Sequence, residues 1–145
     1  MNDSTYVDTS AFAKWYLNEA RSDDVEAFIR ARRSITISRL TVVELRCLLA
    51  RRRRNKEIDR RIERGVLETF EGDMRQGFVA VRPLEDRHAI AAYGLLTRLV
   101  RHPLRTLDAL HLAIALESGA RVLATADAVM GAAATALGMT VERFD

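Results

Sequence analysis

Short apolar runs alternating with stretches of helical periodicity leave this chain few architectures to choose from. Thr5-Tyr6-Val7, Ser34-Ile35-Thr36-Ile37-Ser38, Phe78-Val79-Ala80-Val81 and Arg121-Val122-Leu123-Ala124-Thr125 read as strands, and Met139-Thr140-Val141-Glu142 as a short last one. After the first strand, Thr9 or Ser10 offers a cap for a helix carrying Phe12, Trp15 and Tyr16. A second short helix, capped by Ser22 or an aspartate, carries Val25, Phe28 and Ile29. A third carries Val42, Leu45, Leu48 and Leu49 at helical spacing. From Lys56 to about Arg75, Ile58, Ile62, Val66, Phe70 and Met74 recur every four residues, which predicts one long amphipathic helix. Two more helices, about Glu85 to Arg101 and Thr106 to Ser118, flank His102-Pro103, and a last one runs from Asp127 to Leu137. Gly119 and Gly138 stand where helix C-termini need them. Such alternation implies crossover connections and an α/β chain whose mostly parallel sheet is covered on both faces.

In sheets of this kind ligands bind beyond the carboxyl ends of the strands. The residues found there are acidic. Asp8 directly follows the first strand, and Asp127 follows the fourth after one intervening residue. Glu44 follows the second strand, and Asp108 lies in the first turn of the helix that starts near Thr106. Each has a purely structural explanation, because acids in first turns complement the helix dipole. Thr41-x-x-Glu44 also fits a capping box. Together they suggest more. Carboxylates sharing one cleft repel unless some protonate or a cation binds. Hard oxygen donors without histidine or cysteine favour Mg2+, or Mn2+ in its place, over zinc. Such an ion lowers the pKa of a bound water and neutralises charge on a phosphodiester under attack.

The segments Val7-Asp8-Thr9-Ser10-Ala11, Thr41-Val42-Val43-Glu44-Leu45, Asp108-Ala109-Leu110-His111-Leu112-Ala113 and Thr125-Ala126-Asp127 resemble the signature of PIN-domain ribonucleases. In particular they look like the VapC toxins of type II toxin–antitoxin systems, over essentially the whole chain and in order. The resemblance implies a three-layer α/β/α fold, a Mg2+-dependent endoribonuclease, a VapB-type antitoxin whose C-terminal segment enters the cleft, and a homodimer. Carried over residue by residue, it makes Asp8, Asp108 and Asp127 the metal ligands and Glu44 the fourth catalytic acid. Ser10 and Thr125 then fit the hydroxyl positions that orient the first and last acids. The same site would serve a housekeeping PIN nuclease of RNA processing. A receiver-like phosphoacceptor domain, which also sets acids at strand ends, needs an acidic pair and a late lysine. Asp8 is instead followed by Thr9-Ser10, and the only lysines are Lys14 and Lys56.

At 145 residues, with 48% hydrophobic and 30% charged side chains, the chain is expected to form one domain, 1–145, with a substantial core. No apolar run approaches a membrane span, and Met1-Asn2-Asp3-Ser4 carries no basic or apolar stretch of a signal peptide, so a cytoplasmic protein is expected. There is no nucleotide-binding glycine motif. Its one cysteine, Cys47, excludes an internal disulfide and reads as a small core residue. His111 shares a helix face with Asp108 but reads as a packing residue, while His88 and His102 look like surface residues. Phe12 reads as core, and Trp15 or Tyr16 as lining a dimer or antitoxin surface. Lys+Arg total 23 against 20 Asp+Glu, a net charge of +3, and nearly all the cations are arginines, whose guanidinium matches phosphate oxygens in a bidentate way. Among them Arg39 and Arg46, close in sequence to Glu44, are the preferred candidates for RNA or antitoxin contact. The run Arg51 to Arg54 suits either a solvated helix end or a partner.

Overall fold

The computed structural model describes residues 4–145, so the opening segment read above for a signal lies mostly outside it. β1 (Thr5–Val7) leads into α1 (Thr9–Tyr16) and α2 (Ser22–Arg30), and β2 (Ile35–Ser38) into α3 (Arg39–Arg54) and α4 (Arg60–Arg75). β3 (Val79–Arg82) is followed by α5 (Asp86–Arg98) and α6 (Thr106–Glu117), and β4 (Val122–Thr125) by α7 (Ala128–Ala136) and β5 (Thr140–Arg143). The strands form one sheet in the order β3-β2-β1-β4-β5, and every pairing is parallel.

Side-chain alternation sorts the core into two layers, one on each sheet face. Val7, Ile35, Ile37 and Ala124 join Phe12, Ile29, Leu45, Leu49 and Phe70 under α1 to α4. Tyr6 and Leu123 join Leu95, Leu112, Ile114 and Met130 under α5 to α7. The result is the α/β/α sandwich that the sequence implied. Its edges are blunted by charge, with Arg82 exposed on β3 and Glu142 and Arg143 exposed on β5. Among the described residues, no helix is long and apolar enough to cross a membrane.

Several local expectations change. α1 is capped by Asp8, not by Thr9 or Ser10. Arg21, at φ 68°, occupies the N-cap position of α2, while the Ser22 hydroxyl turns back to the carbonyl of Leu17 and accepts the N–H of Glu19. The long helix begins at Arg60 rather than Lys56, because Lys56 adopts φ 59° and Asp59 caps the new start. Ile58 still packs against the core from this turn, which is why it extended the apparent four-residue spacing. His88 is buried, not a surface residue: its Nδ1 accepts the N–H of Glu85 and its Nε2 meets Glu117. Trp15 and Tyr16 are half-buried against the core through Phe12 and Phe70.

The cap of α4 gives a simple test. The Asp59 carboxylate accepts the N–H of Ile62 at 2.8 Å from an exposed position. Asp59→Ala is expected to cost about 1 kcal/mol of stability in urea unfolding, leaving the rest of the molecule intact.

Candidate functional site

The chain builds β1, β2 and β3 outward in one direction, then returns to lay β4 on the other side of β1. The crevice at the carboxyl ends of β1 and β4 is therefore the topological switch point of the sheet, where such folds bind ligands. A cleft of about 600 Å³ opens there, and Asp8, Glu44, Asp108 and Asp127 all line it. The four acids read separately from the sequence thus share one cavity.

Asp8 sits deepest, at 3% exposure. Its carboxylate accepts the N–H of Ala11 at 3.1 Å, the Ser10 hydroxyl at 2.6 Å and the Thr125 hydroxyl. Ser10 Oγ and Thr125 Oγ1 in turn accept the N–H groups of Ala126, at 2.8 Å, and Asp127, at 3.0 Å. The two hydroxyls therefore fasten the end of β1 to the loop after β4. Burial raises the Asp8 pKa above the ordinary carboxylate value, and the bonds from Ser10 and Thr125, the nearby His111 and the Ala11 N–H only partly offset this.

Asp127 caps α7, taking the N–H groups of Val129 (2.8 Å) and Met130 (3.1 Å) on Oδ1. Asp108 takes the N–H of Arg105 at 3.0 Å on Oδ2. The structural explanation of these acids is thus correct as far as it goes. Each cap occupies one oxygen, and the other carries no hydrogen bond among the described residues.

Glu44 differs. The expected capping box with Thr41 does not form, because α3 starts at Arg39 with Ser38 as its cap, which moves Glu44 into the second turn. Its Oε1 accepts the Thr9 hydroxyl at 2.8 Å and meets His111 Nε2 at 2.5 Å. The other ring nitrogen of His111, Nδ1, lies 2.7 Å from the Tyr6 hydroxyl. Burial alone would raise the Glu44 pKa, but His111 and Thr9 outweigh it and hold the carboxyl below its ordinary range. Two acids of one cleft are therefore pushed in opposite directions, as happens where carboxylates take different roles. The phenol of Tyr6, raised by burial, remains a neutral O–H.

The cations fall differently from the sequence expectation. Arg39 is exposed away from the cleft lining, and Arg46 reaches across to Glu63 on α4 at 3.3 Å. Neither stands in the cleft, whereas Lys14, Arg51 and Arg52 do. Cys47, expected in the core, is exposed and also lines the cleft. Helix phase explains the placements on α3: residues three, four, seven and eight after Glu44 share its face, while Arg46 is rotated from it by about 200°.

Among the described residues no three His, Cys, Asp or Glu side chains are arranged so that they could hold a metal ion. What the cleft offers is a set of hard oxygen donors, three of them with one oxygen uncommitted, around a fully buried carboxyl that resists ionisation.

Comparison with known proteins adds a family and a fold. Residues 5–135 match the family described as PIN domain. The fold is similar to that of VapC20 from Mycobacterium tuberculosis, described as a Sarcin-Ricin loop cleaving toxin, with 20% identity, 97% of this chain and 99% of that one covered, and a TM-score of 0.73. FitAcB from Neisseria gonorrhoeae superposes with a TM-score of 0.70 at 17% identity, covering 94% and 95% of the two chains. DNA-bound VapBC from Salmonella typhimurium does so with a TM-score of 0.67 at 20% identity over the whole of both chains. No curated protein is similar enough in sequence to match.

Proposed function

Because the chain belongs to the PIN domain family, we propose that it is a Mg2+-dependent endoribonuclease, with Mn2+ as a substitute. It acts as the toxin of a VapBC-type type II toxin–antitoxin system. The observation that carries this reading is the meeting of Asp8, Glu44, Asp108 and Asp127 in one cleft at the switch point of the sheet.

The donor set fits a hard divalent ion in kind. Mg2+ keeps several waters and needs only one or two direct carboxylates, so a tight three-residue cage is not required of this cleft. Of Asp8, Asp108 and Asp127, one or two would hold it directly and the rest through its waters. The bound ion would supply charge neutralisation at the scissile phosphate and a more acidic water. The side chains do the rest. Ser10 and Thr125 fix the Asp8 carboxylate, and the helix caps fix Asp108 and Asp127. Glu44, kept ionised by His111 and Thr9, accepts a proton from the attacking water directly or through a second water. Lys14, Arg51 and Arg52 line the same cleft and suit the phosphates of an RNA strand.

The likeness to VapBC complexes supports a VapB-type antitoxin as the partner; a homodimer acting in the cytoplasm completes the proposal. Two measurements test the reading. Purified protein is expected to cleave RNA with Mg2+ or Mn2+, to stop with EDTA, and to lose roughly 100-fold or more in rate in Asp108→Ala. Unchanged cleavage by a folded Asp108→Ala variant would overturn the mechanism. Expression is expected to arrest growth, with relief by the product of a neighbouring antitoxin gene. Growth without arrest would favour the housekeeping nuclease instead.

A further inference from the structure

His111 is 3% exposed, and both of its ring nitrogens are engaged. It joins two groups of very different freedom. Tyr6 stands on β1 with no exposed surface, held by the sheet on both sides. Glu44 is half-buried on α3, at the end of a flexible side chain. A glutamate fixed in one rotamer gives up about 1.5–2 kcal/mol of side-chain entropy, so it stays fixed only if something holds it.

The proton on Nε2 follows from the bonding pattern. An ionised carboxylate only accepts, so Nε2 must carry the proton that points to Glu44. The other nitrogen, Nδ1, lies 2.7 Å from the Tyr6 hydroxyl, a group that can donate to it or accept from it. Tyr6, His111 and Glu44 Oε1 thus form one hydrogen-bonded chain, with Thr9 Oγ1 also 3.4 Å from Nε2. Thr9 adds a second donor to the same oxygen. Both constraints fall on Oε1, and Oε2 is left without a hydrogen bond among the described residues.

We propose that His111 is a positioning residue: anchored on Tyr6, it clamps Oε1 of Glu44 so that Oε2 is the one oxygen presented to reactants in the cleft. The role rests on the ribonuclease reading above for its kinetic consequence, but the clamp itself is a property of the resting protein.

Two arms test this. The first needs no activity. In protein labelled with 15N-histidine, the long-range 1H–15N spectrum is expected to show Nε2 of His111 protonated, with the Nδ1 resonance moved by Tyr6→Phe and the Nε2 resonance moved by Glu44→Ala. An Nδ1 resonance unmoved in Tyr6→Phe, or an Nε2 resonance unmoved in Glu44→Ala, overturns the clamp, whether or not the protein cleaves RNA. The second arm is kinetic, on an RNA the wild type cleaves. Tyr6→Phe and His111→Ala are expected to lower kcat, the latter by roughly 10–100-fold, the range for groups that orient side chains at a metal site, with KM within about twofold. His111→Gln, whose amide can still donate to Glu44, is expected to recover most of that loss. Tyr6→Phe added to His111→Ala is expected to change nothing further, as coupled residues require. Raised KM at constant kcat, or independent effects of the two substitutions, overturns the positioning role. Should His111→Ala fail to fold, the glutamine variant alone and combined with Tyr6→Phe gives the same cycle. If the wild type cleaves no RNA, the ribonuclease reading fails by itself and the spectroscopic arm still decides the clamp.

Discussion

Asp8→Asn is expected to abolish RNA cleavage and, in the same tube, to raise the melting temperature of the metal-free protein. The loss of activity should be at least about 100-fold, because the residue sits at the centre of the acidic cleft and its charge is what a divalent ion would bind. The gain in stability comes from the same charge. The ordinary value for the carboxyl is 3.8, and burial in the folded chain raises it. Between 3.8 and the raised value the folded chain holds a proton that the unfolded chain has already released, so stability falls as pH rises through that window. Above the window the wild type carries the full cost of a buried charge, and below 3.8 it carries none. Asparagine keeps the shape and an oxygen for the Ala11 N–H without the charge. Its advantage should thus be full at neutral pH and fade as the pH is lowered towards 3.8. A gain of about 1 kcal/mol corresponds to a few degrees for a chain of this size. Mg2+ should reverse the order, since an ion that binds only the folded wild type adds about 2.7 kcal/mol at 100 times its Kd. Thermal melts of both proteins with EDTA and with Mg2+, from pH 4 to pH 8, would check every part. A metal-free variant less stable than the wild type at pH 8 would sink the electrostatic account.

The largest effect on stability alone is expected from Phe12→Ala. Phe12 has no exposed surface and makes edge-on contacts with Tyr16, Phe70 and Trp15, with ring centroids 5.1, 5.5 and 6.1 Å apart. It is the point at which α1, directly behind Asp8, joins α4. Truncation to alanine removes the buried ring and leaves a cavity bounded by rings that cannot all collapse, a cost of about 3–5 kcal/mol. That is a large share of the ~5–15 kcal/mol that holds a domain together. Guanidinium unfolding should show a midpoint shift of this size, and Phe12→Leu a shift well under half of it. A loss below ~1 kcal/mol would mean that the α1–α4 contact is not part of the core.

The layers of the fold and the acids of the cleft were legible because each follows from a local rule. Strand and helix patterns differ in period, and residues after parallel strands collect on one rim. Boundaries were less legible where the backbone leaves the common regions, as at Arg21 and Lys56, since nothing in a four-residue apolar spacing reports a positive φ. The places of Cys47, Arg51 and Arg52 follow helix phase rather than closeness in sequence, and steps of three and four from Glu44 reach all three. The pairing of His111 with Tyr6 and Glu44 was not available at all. Its partners lie 105 and 67 residues away, and only the register of β1 against β4 and the packing of α3 bring them together.

The fastening of Asp8 to Thr125 spans 117 residues, and Asp127 lies beyond it. A ribosome extends the chain from β1 towards β5, so the cleft is completed only after β4 has been made. Any fragment that stops before β4 has Asp8 without one of its two hydroxyl partners and lacks Asp127 altogether. The nascent chain therefore carries an incomplete set of cleft acids until β4 and the loop after it are laid against β1.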